Sequence, residues 1–219
     1  MENNYWIEDD LLIFKPSFND DLLNYYDMMK KYKKIIFGNY NDLFMTLKTN
    51  NEYEHDYKDN YIRGEFNKKI DLSNNINLTH LTFGLDFNQE INLSNNINLT
   101  HLTFGKYFNK EINIPLNIKS LNMYGCNNQY IIDNLHNNIE ELKIFFSHLN
   151  LNNLPNSIKK IYIKGYKKEL NNLPNSIEYL ELINYNLKIK KIPKKLKTIK
   201  CDEEYEYIND FKDYEVIYH

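Results

Sequence analysis

Residues 66–86 read FNKKIDLSNNINLTHLTFGLD and residues 87–107 read FNQEINLSNNINLTHLTFGKY, a near-identical copy displaced by 21 positions. The unit starts a third time at Phe108 with FNKEINIP. Later units diverge but keep one skeleton: an apolar residue, two others, an apolar residue, one other, an apolar residue. It recurs as Leu78, Leu81, Phe83; Leu99, Leu102, Phe104; Ile118, Leu121, Met123; Ile139, Leu142, Ile144; Ile158, Ile161, Ile163; Ile177, Leu180, Leu182; and Leu196, Ile199, Cys201. The central members are spaced 21, 19, 21, 19, 19 and 19 residues apart. A fixed period in this range restricts the chain to a stacked repeat architecture.

The last two apolar residues of each unit are separated by one, the alternation of a short strand with one buried face, and the first closes the turn leading into it. A unit of this size cannot bury that face alone, so neighbours stack into a parallel sheet over a continuous core. A strand of about five residues and two turns leave too few residues for a helix of average length on the return side. The expected fold is therefore a mostly β solenoid, a curved parallel sheet of about seven short strands with an extended or 3₁₀ convex side. The pairs Leu154-Pro155, Leu173-Pro174 and Ile192-Pro193 suit such a side, since proline fixes an extended φ and gives up a ladder donor.

FNQEI at Phe87–Ile91 with its near-copies at Phe66 and Phe108, LTHLTFG at Leu78–Gly84 and Leu99–Gly105, and LPNSI at Leu154–Ile158 and Leu173–Ile177 carry a family signature. Over about residues 66–201 the chain resembles the leucine-rich-repeat superfamily, specifically its FNIP-repeat branch, known from social amoebae and giant viruses of amoebae. Glu90 and Glu111 stand where the family usually has proline. The resemblance implies a curved repeat sheet used for protein binding, and members often carry an F-box ahead of the repeats. Residues 1–60 lack the LP-containing, Leu/Ile-rich helical pattern of that module.

The expected organisation is an α/β capping segment at 1–60, repeats at 61–201 and an acidic cap at 202–219. In the first segment, Asp20 or Asp21 is placed to cap a helix whose apolar face is Leu22, Tyr25, Tyr26 and Met29. IIF at 35–37 reads as a strand and 41–48 as a short helix. The last segment offers YEVIY at 214–218 as a final edge strand, and its acidic residues discourage polymerisation through an open edge.

With 27 basic and 30 acidic residues, a net charge of −3 excludes a uniformly basic nucleic-acid binder. Asparagine takes 37 of 219 positions, and the Asn, Ile, Lys, Tyr and Phe excess fits an AT-rich genome. Asparagines ahead of each strand are expected to bond turn backbone. The triplets at Asn77 and Asn98 fit the glycan acceptor but are expected to stay unmodified, because the acidic start MENNYWIEDD is unlike a signal peptide. No stretch reaches the length of a membrane span, and the expected location is cytoplasmic, the host cytoplasm if the chain is viral.

There is no phosphate-cradling glycine run, no GxSxG and no HExxH. Cys126 and Cys201 are too few for a disulfide framework or a cysteine-built zinc site. His80 and His101 share one repeat position and, on adjacent strands, stand close enough to be weighed as metal ligands. Copying of the whole repeat accounts for them as a polar stack. Twelve lysines between Lys159 and Lys200 form a basic block, read as a solvated face partly neutralised by the acidic tail. No cofactor, metal or catalytic residue is expected, and the chain is not read as an enzyme.

The expected function is that of a protein-interaction scaffold, a monomer binding a protein partner, from a host if the chain is viral, on the concave strand face. On that face the first repeats offer the small residues Thr82 and Thr103. The later ones offer Tyr124, Glu141, Lys143, Phe145, Lys160, Tyr162, Lys164, Tyr179, Glu181 and Ile183, aromatics bordered by mixed charge as in a binding hot spot. The alternatives are a ubiquitin-ligase substrate receptor with a divergent docking module at 1–60 and, less favoured, an electrostatic nucleic-acid binder. No membrane partner is expected.

Overall fold

A computed structural model describes residues 3–38 and 63–219. The helix expected at 41–48 lies outside the described residues. The chain forms two compact units, residues 1–110 and 111–219.

The first unit holds β1 (Tyr5–Glu8), β2 (Leu11–Phe14), β3 (Lys34–Phe37), β4 (His80–Phe83) and β5 (His101–Phe104), side by side in chain order. β1 runs antiparallel to β2, and every later pair is parallel. The register is unbroken: Leu12, Ile35, Leu81 and Leu102 face one another as one buried column. Six parallel strands in chain order make the second unit: β6 (Ser120–Tyr124), β7 (Glu141–Phe145), β8 (Lys160–Lys164), β9 (Tyr179–Ile183), β10 (Thr198–Cys201) and β11 (Glu215–Tyr218). All seven skeleton triplets are buried, and their strands are β4–β10. The described residues therefore carry eleven strands rather than about seven, because the flanks add β1, β2, β3 and β11.

Each skeleton triplet begins where a tight turn closes. The carbonyls of Asn75, Asn96, Pro115, Pro155, Pro174 and Pro193 accept the amides of Leu78, Leu99, Ile118, Ile158, Ile177 and Leu196, at 3.0–3.3 Å. Asparagine and proline share this position because the carbonyl closes the turn in both; where it is asparagine the amide bonds as well, Asn75 to the Leu72 carbonyl and Asn96 to that of Leu93. Among the described return segments the helical ones are the one-turn helix α2 (Gln129–Asp133), which buries Ile131 and Ile132, a 3₁₀ turn at Ile208–Phe211, and the helical turns between β2 and β3.

Two phenylalanine stacks fill the first unit. The strand residues Phe14 and Phe37 are 4.8 Å apart and Phe83 and Phe104 are 6.1 Å apart, with near-parallel rings. Beside them run the turn residues Phe18, Phe66, Phe87 and Phe108, at 5.8, 5.9 and 6.0 Å. The second unit substitutes Tyr166, Tyr185 and Tyr205, whose hydroxyls bond the backbone of Leu149, Leu170 and Leu187. That buried-tip bonding is what allows tyrosine into a core column.

The asparagines next to those phenylalanines hold the rows together where no strand does. Asn19 Oδ1 accepts the amide of Asn67 (2.9 Å), Asn67 Oδ1 that of Asn88 (2.9 Å), and Asn88 Oδ1 that of Asn109 (3.0 Å). Asn96 Nδ2 donates to the Leu72 and Asn75 carbonyls, and Asn98 Nδ2 to that of Ile76. Asn96 and Asn98 thus bond the backbone of the preceding row, and Asn19, Asn67 and Asn88 that of the following row, rather than their own turn. Each thereby satisfies return-side groups that burial would otherwise orphan. Gly84 and Gly105 answer a different need, close approach: a Cβ on Gly105 would lie 2.2 Å from the Gly84 carbonyl oxygen.

In the N-terminal segment Asp21 caps a short 3₁₀ turn (Leu22–Asn24), its Oδ1 accepting the Leu23 amide at 3.0 Å. The one-turn helix α1 (Tyr26–Met29) follows, with Leu22 and Met29 buried. The second unit's rows carry alternating charge just before each strand: Lys119, Glu140, Lys159, Glu178, Lys197. Glu140 lies 3.4 Å from Lys119 and 2.9 Å from Lys159, and Glu178 lies 2.5 Å from Lys197.

Core and surface positions of one repeat are expected to differ sharply. Leu102→Ala should cost about 2–5 kcal/mol in urea unfolding. Ile97→Ser, at a position 70% exposed, should change stability by under about 0.5 kcal/mol.

Candidate functional site

Strand alternation points the predicted site residues away from the core, as three columns across β6–β10. In the first, Ser120, Glu141, Lys160, Tyr179 and Thr198 follow one another by register; in the second, Asn122, Lys143, Tyr162, Glu181 and Lys200; in the third, Tyr124, Phe145, Lys164 and Ile183. The inward partners Leu142, Ile144, Ile161, Ile163, Leu180 and Leu182 are buried.

The outward side chains form a connected network. Glu141 accepts from Ser120 Oγ at 2.9 Å and lies 3.4 Å from the Lys143 ammonium. Lys143 sits 4.7 Å from the centre of the Tyr162 ring, a cation–π contact. Tyr162 packs on Tyr179 at 5.4 Å, the Tyr179 hydroxyl donates to Glu181 at 2.7 Å, and Glu181 lies 3.8 Å from His219 Nε2. Burial, then the neighbouring Glu141 and Glu181, pushes the Tyr162 hydroxyl well above its ordinary pKa; burial and the bond to Glu181 do the same for Tyr179. Burial and Lys200 hold His219 below the usual imidazole range.

Phe145 departs from the expected exposure. It occupies an outward register position, yet is only 8% exposed, because its ring stands edge-on against Tyr124 at 4.9 Å. It packs the face rather than offering itself to a partner. The next residue, Phe146, has φ +52°, in the left-handed region that Gly125, Gly165 and Asn184 occupy at the same point of their rows. A bulky side chain there is strained. Its ring fills the space over Gly165, where a Cβ would meet Phe146 Cδ1 at 2.6 Å, and the Lys164 ammonium lies over it at 5.4 Å. No outward alternation rule marks Phe146, because it lies past the strand.

The first unit's outward positions are different. Thr82 and Thr103, expected to be open polar groups, are 3% and 8% exposed, short side chains screened by neighbouring rows. His80 and His101 stack 4.0 Å apart with planes 9° from parallel. Thr79 Oγ1 donates to the Lys33 carbonyl and therefore accepts from His80 Nδ1 at 2.9 Å. The in-plane lone pairs of parallel rings run side by side rather than converging on one ion. Among the described residues, no three His, Cys, Asp or Glu side chains are grouped to hold a metal. Burial first, then His101 and Lys34, lowers the His80 pKa to about 4.

Other chemistry is muted. Burial pushes both thiols, Cys126 and Cys201, up to about 11, far from a reactive thiolate at neutral pH. Within the lysine block, Lys159, Lys188, Lys190 and Lys197 are paired with Glu140, Asp210, Glu169 and Glu178. Among the described residues no helix is long and apolar enough to cross a membrane.

Residues 146–185, which span β8 and β9 with their flanking turns, match the family model described as FNIP Repeat. No curated protein matches. Among solved structures, the chain is similar to CroV588, described as a novel circular LRR protein structure. The two are 24% identical with a TM-score of 0.41, over 91% of this chain and 41% of that one. This chain thus spans about two fifths of that protein's length.

His80 should make the fold acid-sensitive. Its folded pKa lies below its unfolded value of 6.5, so its contribution is fully present above about pH 6.5 and is lost as pH falls from there toward 4. Between pH 7 and 4, about 2 kcal/mol of stability should be lost through this ring, after allowance for its partial exposure. Urea melts of wild type and His80→Asn across that range measure it, the variant showing the smaller loss.

Proposed function

We propose that this FNIP-repeat, leucine-rich-type solenoid is a non-enzymatic scaffold that binds a protein partner on the outward strand face of its second unit. What supports this is the contrast between the two faces. In the first unit β4 and β5 end in flush threonines and glycines, whereas the second unit spends Lys143, Tyr162, Tyr179 and Glu181 on a half-buried network that adds nothing to the core. Aromatic rings set among satisfied charges, at the regular spacing of a sheet, are the composition of an interface centre.

The residues assigned to partner contact are Tyr162, Tyr179, Lys160, Lys164, Ile183 and Tyr124. Glu141, Lys143 and Glu181 hold the rings in place, and Phe145 supports the face from below. The chemistry available at neutral pH fits binding: the two tyrosines stay protonated, and the two thiols are buried as the neutral form.

Affinity capture from the native cell, using the whole chain as bait, tests the assignment. Tyr162→Ser with Tyr179→Ser should keep the folded circular-dichroism spectrum and weaken recovery of the partner by at least about 2 kcal/mol. Ile76→Ser with Ile97→Ser, on exposed turns of the first unit, should leave recovery unchanged. Equal recovery by both double variants would refute the face.

A further inference from the structure

On the proposed face, the anions and the cations are not equally provided for. Every carboxylate on β7, β9 and β11 that points outward has a donor from the protein itself: Glu141 from Ser120 and Lys143, Glu181 from Tyr179, and Glu215 from Thr198 Oγ1 at 2.7 Å. Lys143 is taken up by Glu141 and the Tyr162 ring. Among the described residues, the ammonium groups of Lys160 and Lys200 meet no carboxylate. The face is thus saturated for cations and open for anions at two points, one on each side of the Tyr162–Tyr179 pair.

Resting on the face assigned above, we propose that the partner presents an extended acidic segment of the pattern acidic-x-apolar-x-acidic, its two carboxylates at Lys160 and Lys200 and its apolar side chain on Tyr179, the ring on the strand between them. The spacing selects this pattern. Lys160 on β8 and Lys200 on β10 are two strands apart, about 10 Å across the sheet, and two residues apart in register, about 7 Å along it. The diagonal is about 12 Å. In an extended chain, residues i and i+4 point the same way about 13 Å apart, with i+2 midway between them on the same side.

A nucleic-acid strand would carry the same charge, but the geometry disfavours it. The Tyr162 ring already has Lys143 on it and Tyr179 against it, so it offers no free face for a base. Glu141 stands opposite Lys160 and Glu181 opposite Lys200 on the adjoining strands, so a continuous run of phosphates would meet a carboxylate beside each cation. Two isolated cations match two isolated carboxylates.

The test uses the full chain, ¹⁵N-labelled, titrated at low salt with nine-residue peptides centred on Glu-Ser-Leu-Ser-Glu, on its Gln-Ser-Leu-Ser-Gln twin and on its Lys-Ser-Leu-Ser-Lys twin. A nine-thymidine oligonucleotide is run in parallel. The acidic peptide should bind at least tenfold tighter than the Gln twin and shift amides of β8–β10. Lys160→Gln with Lys200→Gln should cut that preference to under threefold, while Lys167→Gln with Lys191→Gln leaves it intact. A preference under threefold in the wild type, one that survives the Lys160 and Lys200 changes, or tighter binding of the oligonucleotide overturns the acidic-segment proposal. Tyr162→Ser with Tyr179→Ser separates the two levels. If it abolishes binding of every peptide while no acidic preference exists, the face stands and the acidic segment falls. If peptides bind regardless of the tyrosines, the face falls as well.

Discussion

A row of about twenty residues with one strand cannot bury its own apolar side chains, so each row is folded only to the extent that its neighbour is. The columns Leu12–Ile35–Leu81–Leu102 and Leu121–Leu142–Ile161–Leu180–Ile199 are the direct expression of that constraint. Secondary features follow from keeping rows a strand's spacing apart. Phenylalanine rings stack because successive copies have nowhere else to go, and glycine stands at 84 and 105 because backbone from the adjoining row fills the place of a Cβ. Asparagine carbonyls and amides take over the row-to-row bonding on the return side, where the strand ladder has ended.

Strand positions were legible because burial imposes a period of two within a row and of 19 or 21 between rows, and both survive in β4–β10 even where the motif decays. The first rows were harder to see. Leu11–Phe14 is apolar at every position, so alternation is lost, and Phe37 and Phe66 are 29 residues apart where Phe83 and Phe87 are four apart. A signal was nevertheless present: Phe18-Asn19 follows Phe14 as Phe87-Asn88 follows Phe83, and Asn19 bonds Asn67 as Asn67 bonds Asn88.

The candidate face was legible in direction but not in depth. Alternation assigns Phe145 to the outside correctly by register, but its burial is decided by Tyr124, which lies a full row earlier in the chain. Exposure on a stacked sheet depends on residues about twenty positions away, and nothing within one unit reports it. Phe146 is not marked by its own unit for a related reason. Its left-handed backbone belongs to a turn column whose other members are glycine and asparagine, so only the column identifies it as the exception.

The alternation Lys119, Glu140, Lys159, Glu178, Lys197 gives the second unit a parity. Each pair is exposed and individually weak, but excising any single interior row would bring two like charges together: without the Glu140 row, Lys119 meets Lys159, and without the Lys159 row, Glu140 meets Glu178. Removing or adding two adjacent rows restores the sequence of signs. An array built this way tolerates growth and shrinkage in even steps, so its length is open to change by pairs of rows while the order of neighbours stays encoded at its surface.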